Sequence, residues 1–96
     1  MRKKGTIDLT GCQSYLELHE RIRVALELPE WYGKNWSAFW DVIARMSPIE
    51  DITVKGIGQA NPKIQPHIEK MLYLLEKLKK KCASTPNWKF DYRVID

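Results

Sequence analysis

The 96-residue chain is 44% hydrophobic and 29% charged, with five glycines and five prolines. That is the composition of one globular domain, spanning 1–96, with a thin margin of stability; it excludes a disordered or low-complexity segment. No uncharged stretch is long enough to cross a bilayer, and the basic start Met1-Arg2-Lys3-Lys4 runs into an alternating segment instead of an apolar one, so a cytoplasmic protein without a secretory leader is expected. The net charge of +4 is local: Arg2, Lys3, Lys4, Lys77, Lys79, Lys80 and Lys81 carry it, and without those seven the rest of the chain is −3.

In chain order, Thr6 to Thr10 alternates and predicts a first strand, closed by Gly11. Ser14-Tyr15-Leu16-Glu17 has the form of a capping box, and Leu18, Ile22, Ala25 and Leu26 then recur at helical spacing. Leu28-Pro29 ends that helix, because a residue before proline disfavours helical angles. Residues 29–34 read as a loop and Asn35 as the N-cap of a second helix. Its apolar stripe is Trp36, Phe39, Trp40, Ile43 and Met46, and Pro48 stops it. Ile49 to Ile57 predicts a second strand with Ile52 and Val54 on one face. Gly56, Gly58, Asn61 and Pro62 mark a loop, and a third helix begins near Pro66, burying Ile68, Leu72, Leu75 and Leu78. The lysines at 77–81 fall in its last turns, where the helix dipole favours cations; they read as a solvated helix end. After a turn over 83–87, Trp88, Phe90, Tyr92 and Val94 alternate as a third strand.

The order β-α-α-β-α-β favours parallel pairing through right-handed crossovers. The expected fold class is a small α/β domain, a three-stranded parallel sheet packed by three to four helices, with one sheet face poorly covered.

No hydrolase, phosphate-loop or zinc-protease motif is present. Cys12, Cys82, His19 and His67 match no zinc spacing, so no metal or cofactor is expected, and the cysteines should stay reduced. Two histidines can run acid–base cleavage of RNA, but His19 beside Glu20 and His67 after Pro66 read as surface or boundary residues. The unusual segment is 31–41. Trp31, Tyr32, Trp36, Phe39 and Trp40 cannot all bury on one side of a short helix, so Trp31 and part of Trp36 should be exposed, as at a binding surface. Lys34, Ser37, Asp41 and Arg45 share the opposite face. From spacing alone, Asp41 reads as an ordinary surface partner of Arg45.

Leu28-Pro29-Glu30-Trp31-Tyr32-Gly33-Lys34-Asn35-Trp36-Ser37-Ala38-Phe39-Trp40-Asp41 closely resembles the core signature of the barstar family, roughly L-P-E-Y-Y-G-x-N-x-D-A-L-W-D, without a gap. The resemblance implies a three-stranded parallel sheet and an inhibitor, not an enzyme, whose loop and second helix enter the active-site cleft of a bacterial ribonuclease. It implies that Asp41 takes the place of a substrate phosphate among cationic groups, as charge-assisted pairing of a carboxylate allows, and that Trp31 stands where a loop tyrosine stacks on the catalytic histidine. Tyr32, Gly33, Asn35 and Trp40 match in identity, and Trp36 stands where leucine is common. Ser37 replaces an aspartate and Lys34 a common glutamate. Glu76 fits a late glutamate of the family, while Lys80 stands where the type member has another acid. The type member is strongly acidic and this chain is not, which weakens steering toward a basic enzyme; the target is then a less basic ribonuclease, such as a toxin domain for which this chain is the immunity partner. The expected complex is one-to-one, formed by a monomer, with no membrane and no direct nucleic-acid contact. A competing reading is an RNA-binding module that uses the basic helix end and the exposed tryptophans.

Overall fold

Alternation over the first residues produces strand β1 (Lys4–Asp8), in which Gly5 and Ile7 are buried and Lys4, Thr6 and Asp8 are exposed. The computed structural model describes residues 4–45, 51–84 and 90–95. Helix α1 (Tyr15–Ala25) follows, then α2 (Trp36–Arg45), strand β2 (Asp51–Lys55), two single 3-10 turns at Ile57–Gln59 and Pro62–Ile64, helix α3 (Gln65–Ala83) and strand β3 (Asp91–Ile95). The sheet is parallel throughout and ordered β1-β2-β3, with Ile7 opposite Val54 and Val54 opposite Val94. This is the α/β class with a three-stranded parallel sheet and three α-helices expected from the element order.

Several boundaries differ from the sequence reading. β1 starts and ends two residues earlier, because the Thr10 amide donates to the Asp8 carboxylate and turns the chain there. The expected members Met46, Pro48, Ile49 and Trp88 lie outside the described residues. α1 ends by a different device. Leu28 N–H donates to Arg23 O and Glu27 N–H to Val24 O, with Glu27 in the left-handed region at φ 55°. That is a Schellman closure, built without the glycine that usually provides it, so the helix has ended before Pro29 acts.

The core lies between the helices and one sheet face: Ile7, Ile52 and Val54 from the strands meet Leu18 and Ile22 of α1, Phe39 and Ile43 of α2, and Ile68, Leu75 and Leu78 of α3. Met71 and Leu74 are also buried, while the expected Leu72 is half-buried; α3 packs on α2 as well as on β3, which turns its apolar stripe toward Met71 and Leu74. The opposite sheet face holds the polar half of the alternation, including an Asp8–Lys55 pair and a contact of Arg93 with the buried Asp51 at 3.2 Å. Where β2 hands the chain to the first 3-10 turn, Gly56 has φ 76° and passes so close to Thr10 that a side chain there would meet the Thr10 backbone nitrogen at 2.6 Å. Glycine alone fits that crossing without strain.

Candidate functional site

The loop 29–35 and α2 are held by their own local chemistry. Asn35 caps α2: its Oδ1 accepts from Ala38 N–H at 2.8 Å, as the sequence predicted, and its Nδ2 donates back to Gly33 O at 3.0 Å. A Cβ on Gly33 would press on Ala38 Cβ and Asn35 Nδ2 at 3.2 and 3.3 Å, so the missing side chain is what lets loop and cap close together. Lys34, between them, sits in the left-handed region at φ 49° and its ammonium reaches Glu20 at 3.3 Å. With Arg23 hydrogen-bonded to it as well, Glu20 has its carboxyl pulled down to about 2.

Beneath this loop lies a cluster that sequence reasoning missed. His19, expected at the surface or boundary, is wholly buried. Its Nδ1 lies 2.7 Å from the Tyr32 hydroxyl, and its ring packs on Trp36 at 4.4 Å and Tyr15 at 4.5 Å between centroids. Burial first, then the charges of His67 and Lys34, hold His19 down to about 4, so the ring is neutral; burial pushes Tyr32 up. A wholly buried imidazole pins the loop and does not face a substrate, so His19 is not the surface or boundary residue expected from the sequence. The signal was present: Tyr15, His19 and Ile22 fall on one helical face.

The cluster decides what faces outward. Tyr32, expected among the outward-facing residues of the loop, is buried at 4% exposure. Trp31 is 70% exposed. Ser37, Gly33, Asn35 and Asp41 are exposed, and Trp36 and Trp40 are half-buried above Phe39, Val42 and Ile43. The exposure expected for Trp31 and part of Trp36 is therefore present. Among the described residues no hydrogen bond or ion pair engages Asp41; the Arg45 side chain falls outside them. Asp41 and Ser37 border an open groove of about 410 Å³ with Trp36, Trp40, Lys70 and Leu74.

Glu76 lies apart from this group. It stands on α3 with its carboxylate turned to β3, where Oε1 accepts from the Tyr92 hydroxyl at 2.8 Å. Burial and that carboxylate push Tyr92 up to about 12. The lysine run is not a uniformly solvated helix end. Lys77 and Lys81 place their ammonium groups over the Trp40 ring at 4.8 and 5.7 Å, and Lys79 pairs with Asp91 at 3.1 Å. The two free thiols, Cys12 and Cys82, are buried and raised by that burial. Among the described residues no three His, Cys, Asp or Glu side chains are grouped to hold a metal, and no helix is long and apolar enough to cross a membrane.

Fold and surface together define a small α/β domain that mounts an aromatic loop and an acid-bearing helix on a rigid core. Residues 3–91 match the family model described as Barstar (barnase inhibitor). The chain belongs to the barstar family.

Proposed function

We propose that this protein inhibits a ribonuclease of the barnase type by inserting the loop from Pro29 and helix α2 into its active-site cleft, with Asp41 as the phosphate surrogate and no catalysis of its own. The observation that carries this reading is the exposed Asp41 carboxylate, unengaged among the described residues, on a helix whose opposite face is fixed in the core. A carboxylate presented this way meets a cationic cleft without first breaking an internal pair. Trp31 supplies a large exposed ring on the preceding loop for stacking, Ser37 adds a hydroxyl, and Glu76 is a peripheral contact. One cleft admits one loop and helix, so the complex is one-to-one, and the free protein is a monomer in the cytoplasm, guarding that compartment from the enzyme.

The RNA-binding reading has less support. Its stacking rings, Trp31 and Trp36, lie on the loop and α2 whereas the lysines lie on α3, and Lys77 and Lys81 are turned onto the Trp40 ring. The test is the affinity of wild type, Asp41→Ala and Ser37→Ala for a barnase-type ribonuclease, with thermal melts as the folding control. Asp41→Ala should weaken binding by roughly 2–5 kcal/mol, a range to which the barnase–barstar pair itself contributes. Ser37→Ala should matter less, since no charge is lost. Binding of Asp41→Ala within a few-fold of wild type would mean that the family likeness reports fold alone.

A further inference from the structure

Lys70, Tyr73, Lys77 and Lys80 are spaced three, four and three residues apart on α3, which places them along one face over roughly 15 Å at the helical rise. All four are exposed. Lys70 borders the groove that also holds Asp41 and Ser37, while Lys77 and Lys80 border the neighbouring hollow with Tyr73 and Glu76. The cationic strip therefore adjoins the proposed inhibitory helix at about one helix–helix spacing, 8–10 Å.

The acids nearby do not neutralise it. Glu76 accepts from the Tyr92 hydroxyl and keeps its charge, Asp91 takes Lys79 instead, and among the described residues Lys70, Lys77 and Lys80 have no ion-pair partner, which leaves three cations against the one carboxylate of Glu76. What these lysines do touch are rings: Lys70 lies 5.2 Å from the Tyr73 ring centre, and Lys77 lies over Trp40. Such contacts fix an ammonium in place while leaving its charge uncompensated.

We propose that this α3 strip is a second contact surface for the ribonuclease, recognising carboxylates on the rim of its active-site cleft. This rests on the inhibitor reading above. The partner then has two charges in fixed relation: a cationic phosphate site for Asp41 and, about one helix width away, an acidic rim for the lysines. Carboxylates of the ribonuclease are the favoured occupant because Lys70 borders the same groove as Asp41 and Ser37, so the strip continues the surface that the inhibitor reading assigns to the enzyme. Exposed rim charges govern the rate and specificity of encounter more than the final affinity, so the strip selects which ribonuclease is met.

The experiment measures association rates of the full chain with two purified barnase-type ribonucleases, one acidic and one basic, at about 0.02 and 0.5 M salt, where screening lengths differ several-fold. The variants are K70Q/K77Q/K80Q and D41A. At low salt the triple variant should associate about 10-fold more slowly with the acidic enzyme, and faster than wild type with the basic one; both differences should close at high salt. D41A should lose affinity chiefly through faster dissociation. Rates within twofold of wild type for the triple variant, with D41A still impaired, would overturn the strip and leave the inhibitor reading standing. Wild type binding neither enzyme would overturn both. Salt-sensitive binding of an oligo(U) probe that the triple variant loses would instead make the strip a nucleic-acid site.

Discussion

Tyr32 and His19 stand thirteen positions apart, and one hydrogen bond between them ties the loop before α2 to the core. The helical face shared by Tyr15, His19 and Ile22 signals a buried ring, but no local pattern names its partner; the packing of Tyr15 and Trp36 around the ring brings it to Tyr32. The consequence is pH dependence of a definite sign. His19 titrates near 6.5 when unfolded and near 4 when folded, so between those values the unfolded chain binds the extra proton. His19 leaves stability undiminished above pH 6.5 and removes it progressively as pH falls to 4, by about 3 kcal/mol in all. Glu20, Asp8 and Asp91, whose carboxyls are also held low, act in the same direction but only at lower pH. Urea unfolding of wild type and His19→Phe between pH 7 and 4.5 should show the slope in the first and its absence in the second. Equal slopes would place the sensitivity elsewhere. The exposure of Trp31, Ser37 and Asp41 was legible, since Trp31 lies in the crowded loop and the other two lie off the apolar stripe of α2; the burial of Tyr32 was not.

Elements were more legible than residues. The capping box at α1 forms through the Ser14 hydroxyl, which accepts from Glu17 N–H at 3.1 Å, although the Glu17 carboxylate reaches Gln13 N–H, one residue before the cap. The N-cap of α2 forms as expected. What local patterns could not supply was backbone hand. Glu27 and Lys34 both adopt left-handed angles that residue type disfavours, imposed by the closure of α1 and by the approach of Gly33 to Ala38. A loop fixed at both ends in this way would lose less entropy on meeting a partner, as the proposed inhibition requires. Asn35→Ala removes both the cap and the tie to Gly33. It should destabilise the fold by about 1 kcal/mol, lowering the melting temperature by some 4–8 °C for a domain of this size. The same change should weaken ribonuclease binding although Asn35 carries no charge. A melt unchanged by the substitution would show that packing of Phe39 and Ile43 alone sets the start of α2.

For the molecule as a whole, strand and helix order sufficed to fix the parallel sheet, since crossovers of a single hand leave few alternatives. The polar outer face was legible too, in the alternation of Thr6 and Asp8. Charge was legible as a total and misleading as a distribution: lysines that look solvated in a linear run divide, in the folded chain, between a tryptophan ring, an aspartate and the open strip.

The position of β2 has a kinetic meaning. Among the described residues it is the one partner of both β1 and β3, pairing Lys4 with Asp51 and Asp51 with Asp91, so every described rung of the ladder joins residues some forty or more positions apart. Such distant closures delay the rewarding contacts, and refolding from urea should take milliseconds to seconds, not the microseconds of a helical bundle; stopped-flow tryptophan fluorescence measures this directly. Until the middle strand is seated neither outer strand has anything to pair with. A chain nicked between β2 and α3 should therefore lose its sheet in one step, and helix α2 should vanish with it instead of surviving on a fragment.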